Sequence, residues 1–222
     1  MTQNPILRFL WFFCAASLFL IVILGISPSA YCQTQPNNEF GVWASGAPNS
    51  ARVIAVTSDR EFAALGFRYA RKLSELRLMS IEWTVDVIPA EIVLQPEVLG
   101  TIISTNPPHT TYILGPTEAV YGGGINPLGL KFNFLRGRRF QPFVASTAGF
   151  IALVRPVPLD VSKETRFNFT FDFQIGFERY NASRTRAWVF GYKLQHISNA
   201  NRGDINPGVD LNVLFVGYSF FK

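Results

Sequence analysis

From residue 166 the chain reads Arg-Phe-Asn-Phe-Thr-Phe-Asp-Phe-Gln-Ile-Gly-Phe-Glu. Phe167, Phe169, Phe171, Phe173, Ile175 and Phe177 share one parity, while Asn168, Thr170, Asp172, Gln174 and Glu178 share the other. A period of two belongs to an extended strand, whose side chains alternate between faces; a helix would repeat its apolar residues every three or four. Such a segment has to sit in a sheet with one greasy and one polar face. The pattern recurs with Met79, Ile81, Trp83, Val85 and Val87 against Ser80, Glu82, Thr84 and Asp86, and more loosely with Ala63, Leu65, Phe67 and Tyr69 against Gly66 and Arg68.

Period alone does not choose the solvent, because a soluble β-sandwich turns its apolar face inward and a membrane barrel turns it toward lipid. The alternating runs extend over roughly ten or more residues, longer than an average soluble strand and matched to a tilted membrane-crossing strand of about 9–11. With aromatic residues at 14% and charged residues at 16%, the pattern predicts an all-β fold, a single antiparallel transmembrane β-barrel. A soluble sandwich is the alternative. About eight strands are expected, near 39–45, 61–72, 78–91, 117–134, 139–153, 166–180, 184–198 and 209–221. The connections at 73–77, 135–138 and 181–183 are short, and those at 46–60, 92–116 and 154–165 are long. Outer-membrane barrels have short periplasmic turns and long extracellular loops, so both termini would be periplasmic. The run 117–134 changes phase near Asn126 and Pro127, as at a bulge. A barrel of this size is filled by its own side chains. Glu82, Asp86, Asp172 and Glu178 would point inside, where Arg68, Lys131 and Lys193 supply the partners that buried charges require.

Residues 1–32 read as a signal peptide: Arg8 precedes an apolar stretch from Phe9 to Ile26, and Ser27, Ser29 and Ala30 follow it. An uncleaved membrane helix is the alternative, since the apolar stretch is close to a full span. Cleavage after Cys32 leaves residues 33–222 as one barrel domain and removes both cysteines, Cys14 and Cys32. No disulfide, thiol nucleophile or thiolate metal site would remain. The net charge of +5 is mild, and Arg136-Gly137-Arg138-Arg139 is the one basic cluster, a solvated turn rather than a nucleic-acid surface.

The chemistry-bearing residues lie near the C-terminus. On the strand 184–198 the even positions Trp188, Phe190, Tyr192 and Leu194 form the outward side, which His196 and Ser198 continue. Asp210 has the parity of Leu214, Val216 and Tyr218 on the next strand. An imidazole, a hydroxyl and a carboxylate would thus meet on the outer wall at the rim, the three groups of a serine hydrolase triad. A polar rim built of ordinary turn residues is the alternative.

This stretch resembles the outer-membrane lipid A 3-O-deacylases. In that family a strand ends in His-x-Ser-Asn, a short loop carries an Asn and a Gly, and a carboxylate follows twelve residues after the Ser; His196, Ser198, Asn199, Asn206, Gly208 and Asp210 fall on the pattern without a gap. The likeness is good over residues 184–222 and fades upstream to general barrel character. Two departures stand out: the family's carboxylate is usually Glu, one methylene longer than Asp210, and a glycine expected in the loop is Asn201 here. The resemblance implies a hydrolase of the bacterial outer membrane that cleaves the 3-O ester-linked acyl chain of lipid A in the outer leaflet. Ser198 would be the nucleophile, His196 the base and Asp210 its orienting partner, with Asn199, Asn206 and Gly208 supporting the oxyanion. No metal or cofactor is implied, and the protein would be a monomer or homodimer. A non-enzymatic barrel, adhesin or structural, is the alternative, as is another lipid esterase or acyltransferase with the same rim site.

The leader makes the first prediction. N-terminal sequencing of the protein from outer membranes should begin near Gln33, and retention of Met1 would contradict the signal peptide.

Overall fold

Strand β1 (Asn38–Ala47) pairs on one side with β3 (Glu61–Glu75) and on the other with the last strand, β9 (Val209–Phe221), and this double pairing closes the sheet into a ring. The structure is a computed structural model that describes residues 36–222 apart from 106, 162 and 163. The expected leader and its cleavage point lie outside the described residues. Between β3 and β9 run β4 (Met79–Thr105), β5 (Pro108–Phe134), β6 (Phe140–Leu153), β7 (Phe167–Tyr180) and β8 (Arg186–Ser198), each antiparallel to the next. The short β2 (Ser50–Ala51) adds two pairs to β9, Ser50 with Leu211 and Ala51 with Asp210. Among the described residues no helix is long and apolar enough to cross a membrane.

The two parities separate as the sequence predicts. On β7, Phe169, Phe171, Phe173 and Ile175 are exposed, while Asn168, Thr170, Asp172 and Gln174 are buried. A soluble sandwich would bury the other set, so this burial pattern excludes it. The outward wall is apolar around the ring, with Phe40, Val42, Leu65, Phe67, Trp188, Leu214 and Phe220 all exposed. Hydrocarbon is the solvent that suits such a wall.

Inside, the expected cations meet carboxylates. Arg68 donates from Nε and Nη2 to the two oxygens of Asp86, each at 2.7 Å. Lys131 bonds Glu178 and Glu39, the latter at 2.7 Å, and stands 3.5 Å from Glu82. Lys193 lies 3.9 Å from Asp172. Glu39 had not been singled out, because only a few residues of β1 alternate cleanly. A cavity of about 20 Å3 lined in part by Glu39, Trp43, Arg68, Gln174 and Lys193 leaves space on the scale of a single water. Toward the other end lies a buried apolar cluster that includes Phe62, Ile88, Val93, Ile151, Ile197, Val209 and Leu211.

One expectation is corrected. The segment 92–116 is not a loop: β4 and β5 stay paired out to Thr105 opposite Pro108. The partners β3 and β6 drop away earlier, at Leu94 and at Gly122. Beyond those points the hairpin is a two-stranded ribbon, in which residues such as Ile102 and Ile103 pair with Thr111 and Thr110. Its β-branched composition suits a strand, and register shifts after Pro96 and around Val98 absorb the positions that read as loop punctuation. The bulge expected near Asn126 is present, as the β5–β6 register shifts between Ile125 and Leu128. The glycines beside it allow close approach: a Cβ on Gly123 would lie 2.7 Å from the Ile88 carbonyl oxygen.

Phe171 is 50% exposed beside a fully buried Asp172. Phe171→Arg should therefore cost about 2–4 kcal/mol of stability in a bilayer. Urea titration of protein refolded into vesicles measures it, and wild-type stability would contradict the assigned orientation.

Candidate active site

His196 on β8 and Asp210 on β9 are directly opposed in the ladder, and both side chains point out of the barrel. The pairing brings the imidazole Nδ1 within 2.6 Å of Asp210 Oδ1. An ionised carboxylate can only accept, so Nδ1 carries a proton, and in the neutral imidazole this tautomer leaves the lone pair on Nε2. Behind this pair the inward neighbours Ile197, Val209 and Leu211 are buried in the apolar cluster. The wall that bears the pair is therefore well packed.

Asp210 is outward by parity yet only 1% exposed. It is covered by the chain that follows β2. The amides of Val53, Ile54 and Ala55 all donate to Asp210 Oδ2, at 2.8, 2.5 and 2.8 Å. With Oδ1 on the imidazole, the carboxylate accepts four hydrogen bonds, a donor set that suits its ionised form. The covering segment is pinned by Val56, whose amide donates to the Pro207 carbonyl at 3.0 Å. Further along, Arg60 is buried and donates from Nε and Nη2 to the Pro158 carbonyl at 3.1 and 2.8 Å. Burial lowers its pKa from the ordinary guanidinium value, against the opposing pull of the Asp59 charge.

Ser198 ends β8 on the same outward face, two residues beyond His196, and no hydrogen bond joins it to the imidazole among the described residues. The loop after it is tightly held. Asn199 is buried, and its Nδ2 donates to Glu164 Oε2 at 2.8 Å and to the Ile205 carbonyl at 2.7 Å. Its backbone amide, the first after the serine, donates to Asn206 Oδ1 at 3.2 Å. That bond fixes the Asn206 carboxamide, whose Nδ2 makes no hydrogen bond among the described residues. Gly208 has φ of +60°, and a Cβ there would lie 3.1 Å from His196 Cε1. A side chain at 208 would be strained and would press on the imidazole.

Two parts of this site carry no signal in the sequence. The amides of residues 53–55 act through backbone, and they lie more than 150 positions from Asp210. Glu164 sits in a loop without periodicity, yet its Oε1 accepts the Ile205 amide at 2.7 Å while its Oε2 holds Asn199. An opening lies elsewhere: a cavity of about 500 Å3 by Asn37, Asn38 and residues 71–75, at the end where β1 begins and β9 finishes. Among the described residues no group of three or more His, Cys, Asp and Glu side chains is placed to hold a metal ion.

A family model described as lipid A 3-O-deacylase (PagL) matches residues 104–219, which include His196, Ser198 and Asp210. Among solved structures, the outer membrane enzyme PagL superposes with a TM-score of 0.54 at 16% identity, over 80% of this chain and 97% of that one. Neisserial surface protein A (NspA) gives a TM-score of 0.49 at 6% identity, over 86% and 100% of the two chains. At such identities the structural likeness speaks for the fold alone. No curated protein matches the chain.

The Glu164 clamp predicts a local effect. Glu164→Ala removes one of the two bonds that Asn199 Nδ2 donates and the acceptor of the Ile205 amide, at a cost of about 1–3 kcal/mol. Hydrogen exchange at Ile205 should accelerate while the β7 and β8 amides stay protected; unchanged exchange at Ile205 would contradict the clamp.

Proposed function

We propose that this chain, which belongs to the lipid A 3-O-deacylase family, is an outer-membrane esterase that removes the 3-O-linked acyl chain of lipid A with Ser198, His196 and Asp210. The observation that carries this reading is the His196–Asp210 hydrogen bond of 2.6 Å on the outward face of a closed barrel. A carboxylate-oriented imidazole with a free Nε2 is a general base, and on this wall it meets membrane lipid rather than soluble substrate. Ser198 is the nucleophile within reach of the same face.

In the first half of the reaction Ser198 Oγ attacks the ester carbonyl and passes its proton to His196 Nε2. The imidazolium that forms is stabilised by Asp210, itself held ionised by the amides of residues 53–55. Collapse of the tetrahedral intermediate breaks the bond to the sugar oxygen, which takes the proton from His196. Water then repeats the sequence on the acyl-serine and releases the fatty acid. For the oxyanion, the Asn206 Nδ2 is a suitable donor, since its Oδ1 is already occupied by the Asn199 amide. Asn199 and Gly208 serve as support, the first through the loop and the second through the room it leaves beside the imidazole. The chemistry calls on no metal or cofactor.

Ser198→Ala and His196→Ala should each lower deacylation by on the order of 10⁴ or more in a folded barrel. Asp210→Ala should cost less, and Asp210→Glu should be more active than Asp210→Ala because a carboxylate is kept. Mass spectrometry of purified lipid A reads the loss of one acyl chain, with folding followed by heat-modifiable gel mobility. Full activity in folded Ser198→Ala protein would remove the esterase and leave a structural barrel.

A further inference from the structure

The segment that covers Asp210 has two faces. Its backbone turns three consecutive amides toward one carboxylate oxygen. Its side chains turn the other way: Val53, Ile54 and Val56 are 64%, 68% and 70% exposed. Only Ala55 is buried, toward Gly208. Exposed apolar side chains this close together are costly in water, and a solvated loop would ordinarily carry polar residues there.

The position of the segment says what covers them. It is fastened to the outer wall by the pairing of Ala51 with Asp210 and by the Val56–Pro207 bond. Asp210 shares its outward parity with Asn212, Leu214 and Val216, of which Leu214 and Val216 are exposed on the apolar wall. The patch therefore stands on the same face as the apolar band, one polar position above it at the rim. Acyl chains that surround the band lie next to the patch, whereas a protein partner would first have to displace lipid from the same wall.

We propose that residues 52–56 are a membrane-contacting element: Val53, Ile54 and Val56 lie among acyl chains of the outer leaflet, and through its amides the same segment holds Asp210 against His196. Contact with lipid and the setting of the catalytic pair are then two properties of one short stretch of backbone. Lipid surrounding the side chains keeps the segment pressed on the wall, which keeps the three amides on Oδ2. The catalytic half of this proposal rests on the esterase reading; the lipid contact does not.

The test has one arm for each half. For lipid contact, a bimane label on Ile54→Cys, in full-length protein carrying Cys14→Ser and Cys32→Ser, is placed in vesicles of phosphatidylcholine. Emission should shift to the blue and be quenched by lipids bearing a quencher in the acyl chain. Emission typical of water, insensitive to that quencher, would overturn the membrane contact whatever the activity. For coupling, the variant carrying Val53→Ser, Ile54→Ser and Val56→Ser keeps every amide. Its ratio of activity on bilayer-embedded lipid A to activity on detergent-dispersed lipid A should fall about tenfold. Ile54→Pro, which deletes the central amide, should lower kcat about tenfold or more in both carriers, with Ile54→Ala, which retains it, recovering most of that loss. An unchanged ratio, or an unchanged kcat in Ile54→Pro, would overturn the coupling. Ser198→Ala run alongside separates these outcomes from failure of the esterase reading, since it is inactive if the esterase stands.

Discussion

Hydrocarbon offers no partner to a bare amide or carbonyl, so a strand inside it must have neighbours on both sides. The pairing of β1 with β9 meets that demand for the whole sheet, and the rest of the architecture follows from it. Closure forces one parity of every strand to face lipid and the other to face the interior. It also confines irregular backbone to the two ends. The β4–β5 ribbon obeys the same rule: its lateral partners end at Leu94 and Gly122, so its open edges belong above the hydrocarbon. Chemistry that needs loops, shaped turns and a water molecule has only the rim available to it.

The interior is divided along its length. Near the end that holds the termini, Lys131 is gathered among Glu39, Glu178 and Glu82, and Arg68 clasps Asp86. These charges tie β1, β3, β4, β5 and β7 across the lumen, and removing Lys131 or Asp86 would leave buried charge without its ion-pair partner. Beneath the rim an apolar cluster packs beside buried polar side chains such as Gln95, Asn168 and Gln195. Because His196 and Asp210 flank Ile197, Val209 and Leu211 of that cluster, a polar pair on the outside is mounted on a well-packed wall. A site built on paired strands is held more closely than one built on loops alone.

What the sequence made legible was whatever depends on parity. The strand set, the outward Phe171 and inward Asp172, the lumen pairs of Arg68, Lys131 and Lys193, and the opposition of His196 to Asp210 all follow from counting by two. The segment 92–116 was misread because Pro96, Gly100, Pro107, Pro108 and Pro116 punctuate it as a loop, whereas a ribbon whose strands pair only with each other tolerates such residues at shifted registers. Glu39 is hidden because β1 alternates cleanly over only a few residues. The amides of residues 53–55 and the carboxylate of Glu164 escaped for a deeper reason. Neither belongs to a periodic element, and backbone donors leave no trace in residue identity.

The shorter carboxylate at position 210 is best understood together with those amides. In the resemblance drawn from the sequence a Glu usually stands there, and an Asp reaches one methylene less. Here the two residues are directly opposed across the β8–β9 ladder. Opposed side chains in an antiparallel pair start about 4.5–5.5 Å apart at Cβ, a gap that Asp can bridge to an imidazole without further length. The remaining oxygen of so short a side chain stays close to the wall, where only backbone passing directly over it can reach. Residues 53–55 pass there, and their three amides donate to it. The opposed register lets the shorter acid reach the imidazole, and the chain after β2 supplies the donors for its other oxygen.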